Sequence, residues 1–188
     1  MVTRGFTGRQ SGSELSDRIP PGQHLVDNFP VLTAGPTPRI EPAHWTFTLK
    51  VGPHPVRAWS WSEFNALPRT RMTRDIHCVT SWSKLNTAWE GVAVDDILAD
   101  AGLSAPTPFA LAHCYDGYAT NVPLADLTTG KAMVALKYDG QPLPRDHGGR
   151  RACSCRVADS ASWGIFDAVL TPGDLILLIS WSTRAQRF

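Results

Sequence analysis

Three short segments, "FALAHCYD", "YATNVP" and "AMVALKYDGQPLP", follow one another between residues 109 and 144, with Asp116-Gly117 and Asp139-Gly140 as turn signals. Asp-Gly pairs supply the positive φ angles of tight hairpin turns, so these segments read as short strands. The rest of the chain alternates strand and helix signals without a regular βαβ rhythm. "WTFTLKV" (45 to 51) alternates large apolar residues with Thr and Lys, the pattern of a half-buried strand. "SWSEFNAL" (60 to 67) opens with Ser60 and has Glu63 three residues on, which predicts a short helix entered through a capping box. "RMTRDIHCVT" (71 to 80) predicts a strand with Met72, Arg74, Ile76 and Cys78 on one face and Thr73, Asp75, His77 and Val79 on the other. "VAVDDILADAGL" predicts an amphipathic helix closed by Gly102, and "LADLTTG" a single helical turn. "FPVLTAGPTPRIEP" (29 to 42), with four prolines and a glycine, has no room for a helix. Short strands mixed with short helices predict an α+β fold, not a doubly wound one.

A chain of 188 residues can bury a substantial core as one domain. With 43% apolar and 19% charged residues it has the composition of a soluble globular protein. The net charge of +1, with Lys and Arg scattered, gives no basis for a nucleic-acid partner or a membrane surface. The longest apolar run, "LILLISW" (175 to 181), is too short to span a bilayer. Residues 1 to 23 are polar and rich in Gly and Ser, without the apolar segment of a secretory signal, and read as a flexible or loosely docked arm. The expected location is the cytoplasm. There the four cysteines, Cys78, Cys114, Cys153 and Cys155, should be reduced. They form no paired C-x-x-C knuckles, the strong zinc signature.

Cys78 is the residue whose role matters most. His77 precedes it and His113 precedes Cys114, so a zinc site is one alternative. Neighbours on a strand point to opposite faces, however, and each pair would then give one ligand. A Cys/His nucleophile meets the same objection with His77, although His113 or His147 could approach in space. Composition alone favours a buried, inert thiol. "LPRDHGG" (143 to 149) and "YDGYATNVPLADL" (115 to 127) read, singly, as a solvated loop and a plain hairpin. Seven tryptophans suit core positions or the walls of a pocket.

In their order, "DIHCVTSWSKLNTAWEGVAVDDILADAG", "DGYATNVPLADL" and "YDGQPLPRDHGG" resemble the molybdopterin-binding domain of the sulfite oxidase family. The N-terminal "PPGQHLVDNFPVLTAGPTPRIEPAHWTFTL" resembles its short, unexported bacterial members. The likeness covers Pro20 to Gly149 and implies a mixed-sheet fold, an arm over residues 1–23, a domain over 24–149 and a separate tail over 150–188. It implies the molybdenum cofactor (molybdenum held by molybdopterin) and two-electron oxygen-atom transfer with a small oxo-acceptor or oxo-donor. In the family, the cysteine of the C-V-T-x-W motif gives its thiolate to molybdenum, which assigns Cys78 as metal ligand and catalytic residue. A soft sulfur donor suits a metal already held by dithiolene sulfurs. The histidine of the D-H-G turn helps hold the pterin, which assigns His147. Asn28 and Phe29 match a loop that contacts the cofactor, and Cys114 stands near another contacting position. With no haem-binding domain in the chain, a separate electron-transfer partner is expected.

After "HGG" the family continues with an Arg-bearing strand of the type P-x-R-L-L-V-P and then a W-K-S-x-K-W segment. An arginine there can grip a phosphate through paired hydrogen bonds. This chain continues "RRACSCRVADSASWGIFDAVLTPGDLILLISWSTRAQRF" instead. Codons for Arg-Arg-Ala-Cys-Ser-Cys-Arg, read one base earlier, permit Pro-Ala-Arg-Leu-Leu-Val-Pro. A frameshifted tail after Gly149 is therefore a hypothesis that the coding DNA decides, since codons incompatible with the shifted frame would sink it. Two rival readings stand beside the enzyme: a degenerate member that binds no cofactor, and a zinc- or thiol-based binding module.

Overall fold

The computed structural model describes residues 17–31, 40–51, 54–78, 80–104, 108–114, 119–144, 147, 153–157 and 169–170. Two mixed sheets and three short helices make an α+β fold. The first sheet is built on β5 (Trp82–Ala93), a twelve-residue strand with neighbours on both edges. One edge carries β4 (Thr70–His77) antiparallel, from Thr70 opposite Gly91 to His77 opposite Ser83. The other edge carries β1 (His24–Leu25) parallel at its start and β8 (Met133–Tyr138) antiparallel at its end. Outside β8 lie β9 (Gln141–Pro142), antiparallel, and β11 (Val169–Leu170), parallel. The second sheet has the order β3 (His54–Ser60), β2 (Thr46–Val51), β10 (Cys153–Val157), β6 (Phe109–Cys114), β7 (Ala119–Pro123).

The expected local signals are present. Ser60 Oγ accepts the Glu63 N–H at 3.3 Å while the Ser60 N–H donates to Glu63 Oε2 at 2.7 Å, and this reciprocal cap starts α1 (Trp61–Ala66). α2 (Val94–Asp100) ends before Gly102, whose φ of +68° lets the chain turn away. α3 (Leu124–Leu127) is the single turn expected of "LADLTTG". Asp139 (φ +50°) and Gly140 (φ +76°) form the tight β8–β9 turn. The Asp116-Gly117 turn, the loop at 32–39 and most of the arm and tail lie outside the described residues.

Two apolar clusters follow from this layout. The larger holds Trp45, just before β2, and Phe47, Trp59 and Phe64 from β2, β3 and α1, with Ile97, Leu98 and Val92. The smaller joins Cys78 to Ile76, Trp82, Trp89, Met133, Ala135 and Leu143 on one face of the β5 sheet. Residues 17–31 run along this sheet. Arg18 reaches Asp75 with Nε at 2.9 Å and Nη2 at 2.6 Å, and Nη2 also meets Asn86 Oδ1 at 2.8 Å. Within the tail, β10 lies between β2 and β6, with Cys155 opposite both Leu49 and Ala112 and Cys153 opposite Cys114.

Candidate functional site

Cys78 is the first residue beyond β4 and opens the turn into β5. Its N–H donates to Trp82 O at 2.8 Å, and its carbonyl accepts the Ser81 N–H at 3.0 Å. The turn closes because Ser81 takes φ +69°, the left-handed region. Strand alternation sends Cys78 into the smaller cluster, where it is 2% exposed, with Sγ 3.2 Å from Thr80 Oγ1.

Phe29 packs on the same cluster from the segment after β1. Its ring stacks on His147, with centroids 4.2 Å apart and planes 7° from parallel. It also meets Tyr138 at 5.0 Å, Trp89 at 5.9 Å and Trp82 at 6.2 Å. The His147 N–H is held by Pro144 O at 3.0 Å. Burial, with Asp139 adding to it, pushes the Tyr138 hydroxyl above its ordinary range, so it stays a neutral donor. Trp89 Nε1 donates to Thr87 Oγ1 at 2.8 Å, whereas Trp82 Nε1 is buried without a hydrogen-bond partner among the described residues.

Of the residues singled out in the sequence, Cys78, Phe29 and His147 thus meet in one aromatic-walled region. Asn28 is exposed, one residue before Phe29. Cys114 ends β6 in the other sheet, opposite Cys153.

His77, the neighbour of Cys78, lies on the opposite side of β4. Its Nδ1 is 2.9 Å from Ser83 Oγ. Burial pulls its pKa below the ordinary histidine value; Asp75 opposes this and Arg18 adds to it. His77, Thr73, Arg74 and Asp75 line a cleft of about 570 Å³ together with Asp17, Arg18, Pro20 and Asn86. Cys78 is not among the lining residues. The thiol-bearing side of β4 is the better candidate for redox chemistry, because it holds a soft donor beside aromatic faces. Among the described residues, no group of three or more His, Cys, Asp or Glu side chains is placed to hold a metal ion.

The family model for the oxidoreductase molybdopterin binding domain matches residues 34–150. The chain belongs to this family. An uncharacterized oxidoreductase, YuiH of Bacillus subtilis (strain 168), is 34% identical over 145 residues, covering 76% of this chain and 73% of the relative. The sulfane dehydrogenase SoxCD from Paracoccus pantotrophus shares the fold, with a TM-score of 0.56 at 15% identity. That match covers 66% of this chain but 41% of the solved one.

The residues present fit the molybdenum cofactor that the family implies. Cys78 offers a sulfur donor of the right softness. The orphaned Trp82 N–H is a donor awaiting an acceptor, and the aromatic side chains Phe29 and His147 beside the cluster are of the kind a flat heteroaromatic group packs against. Sequence patterns missed Gln23 and Ser83, which hold the Cys78 turn, and left the wall residues Trp82, Trp89 and Tyr138 unassigned. Ser83 is fully buried in β5, a strand the sequence patterns did not find, so no signal marked it.

Proposed function

We propose that the chain is a cytoplasmic, sulfite-oxidase-like oxidoreductase. Its substrate is a small oxo-acceptor or oxo-donor, and its electrons pass to a separate protein partner. The observation that carries this reading is the convergence of Cys78 with the Phe29–His147 stack and the unpartnered Trp82 indole. In this proposal Cys78 Sγ ligates molybdenum, and Phe29 and His147 contact the pterin. Asn28 and Cys114 are further cofactor contacts. The bound cofactor supplies two-electron oxygen-atom transfer at the metal. The chain's own contribution is to fix one thiolate at a strand end, exclude water with Trp82, Trp89 and Tyr138, and offer hydrogen-bond donors to the pterin.

Molybdenum and pterin content after expression in a cofactor-competent host tests this. We expect near one molybdenum per chain, lost in Cys78→Ser together with activity. A second reading, the degenerate member without cofactor, draws on one observation: the family match stops at residue 150, where the tail departs from the family pattern. Wild-type protein lacking both molybdenum and pterin would establish that reading and overturn the first.

A further inference from the structure

The segment before β1 does more than cover the sheet. Gln23 is half-buried beneath the Cys78 turn, and its amide meets two partners there. Nε2 donates to Cys78 O at 2.9 Å, and Oε1 accepts from Ser83 Oγ at 2.9 Å. Only the NH₂ end can face a carbonyl, so the amide has one orientation. Ser83 has a single hydroxyl proton, already given to Gln23. The 2.9 Å contact to His77 is therefore donated by the imidazole, and neutral His77 carries its proton on Nδ1. One directed chain of hydrogen bonds runs from His77 through Ser83 and Gln23 to the Cys78 carbonyl. That carbonyl also accepts the Ser81 N–H, so both of its lone pairs are engaged. The backbone around Gln23 is moored to the same turn: His24 N–H binds Ser81 O at 3.0 Å and Val26 N–H binds Ser83 O at 2.9 Å.

We infer that Gln23 is a positioning residue for Cys78, with Ser83 and His77 fixing its amide; this rests on Cys78 being the metal ligand. A ligand's aim is set by groups behind it as much as by its own side chain, and here the peptide plane of Cys78 is held from both sides. Gln23 touches neither substrate nor cofactor in this role. It sets the direction of the Cα–Cβ bond from which the thiolate extends, and it resists opening of the turn.

The test uses full-length Gln23→Ala, Gln23→Glu and Ser83→Ala. Glutamate keeps the shape and the acceptor for Ser83 but removes the donor to Cys78 O. Iodoacetamide labelling of cofactor-free protein, read by peptide mapping, reports Cys78 separately from the other three cysteines. Loss of one hydrogen bond behind a buried thiol should raise its labelling rate about tenfold in both Gln23 variants. Ser83→Ala should give a smaller rise, and the melting temperature of each variant should fall by no more than several degrees. In the loaded protein, the Gln23 variants should retain molybdenum but shift the sulfur-to-metal charge-transfer absorption. Wild-type labelling rates in both Gln23 variants, or equal acceleration of all four cysteines, would overturn the inference. Should Gln23→Ala fold poorly, the near-isosteric Gln23→Glu carries the test. The labelling does not need molybdenum, so failure of Gln23 and failure of the cofactor reading give different results.

Discussion

Asp75 is held from three directions. Arg18 grips it with two guanidinium nitrogens, and the Asn86 N–H donates to Oδ1 at 2.9 Å. Burial pushes its pKa up, but those bonds and the charges of Arg18 and His77 outweigh this and leave it below the ordinary carboxylate value. A depressed carboxylate stabilises the fold above its unfolded value of about 3.9, and that contribution is lost as pH falls through the folded value. Asp75→Asn should therefore cost about 1 kcal/mol near neutrality, after allowance for solvent at this partly exposed pair. The cost should shrink on acidification below about pH 4. Urea unfolding of both proteins across that range measures it; a cost independent of pH would exclude the ionic contribution. Asp75 also shows what residue types cannot reveal. The sequence places it on a strand face beside His77, but its partner Arg18 lies 57 residues away. Gln23 is likewise 55 residues from Cys78, and only the folded chain joins them.

At the scale of elements, the sequence patterns found β2, β4, β6, β7 and β8 and the three α-helices; the strands they missed include β1, β3 and β10 as well as β5, on which the site is built. For β5 the reason is phase. A period-2 pattern survives only while the strand is regular, and β5 carries a bulge. Between Thr87 and Lys84, Leu85 and Asn86 oppose the single residue Asp75, with Asn86 at φ +55°. The alternation "WSKLNTAWEGVA" is thereby cut near its start, leaving only a short piece before the bulge. Farther on, the register slips between Glu90 and Gly91 against β8, where the extra residue, Leu136, lies on β8. Gly91 marks the second slip because the neighbouring backbone comes close: a Cβ there would collide with Val134 O and lie 2.8 Å from the Ala135 Cα. Both contacts are backbone in a central strand pair, with no flexible atom to yield. Gly91→Ala should destabilise the protein by about 3 kcal/mol in urea unfolding. A loss under about 0.5 kcal/mol, the range of a neutral surface change, would contradict this close approach.

At the scale of the whole molecule, β10 decides whether the second sheet is continuous. It pairs parallel with β2 and antiparallel with β6, so both strands depend on it for one edge each. The family pattern has an apolar, Arg-bearing strand after the His-Gly-Gly turn. This chain instead presents "CSCRV", with Cys155 at the register position of Leu49 and Arg156 at that of Lys50. Removing residues 150–188 should open two long edges above the larger core and drive association. Light scattering and size-exclusion chromatography of the truncated chain measure this, and a monodisperse monomer that melts like the full chain would show that β10 is dispensable.

The sequence by itself determined the local elements whose causes are local: the Ser60–Glu63 cap, the Asp139-Gly140 turn, the Gly102 helix stop and the placement of Cys78 at a strand end. Three ordered motifs also named the family, because motif order survives where single residues are ambiguous. Only the tertiary structure decided what surrounds Cys78. The Phe29–His147 stack, the buried Trp82 N–H and the Gln23–Ser83–His77 chain join residues separated by up to 118 positions. Such contacts form through sheet pairing and burial, which no short window of sequence encodes.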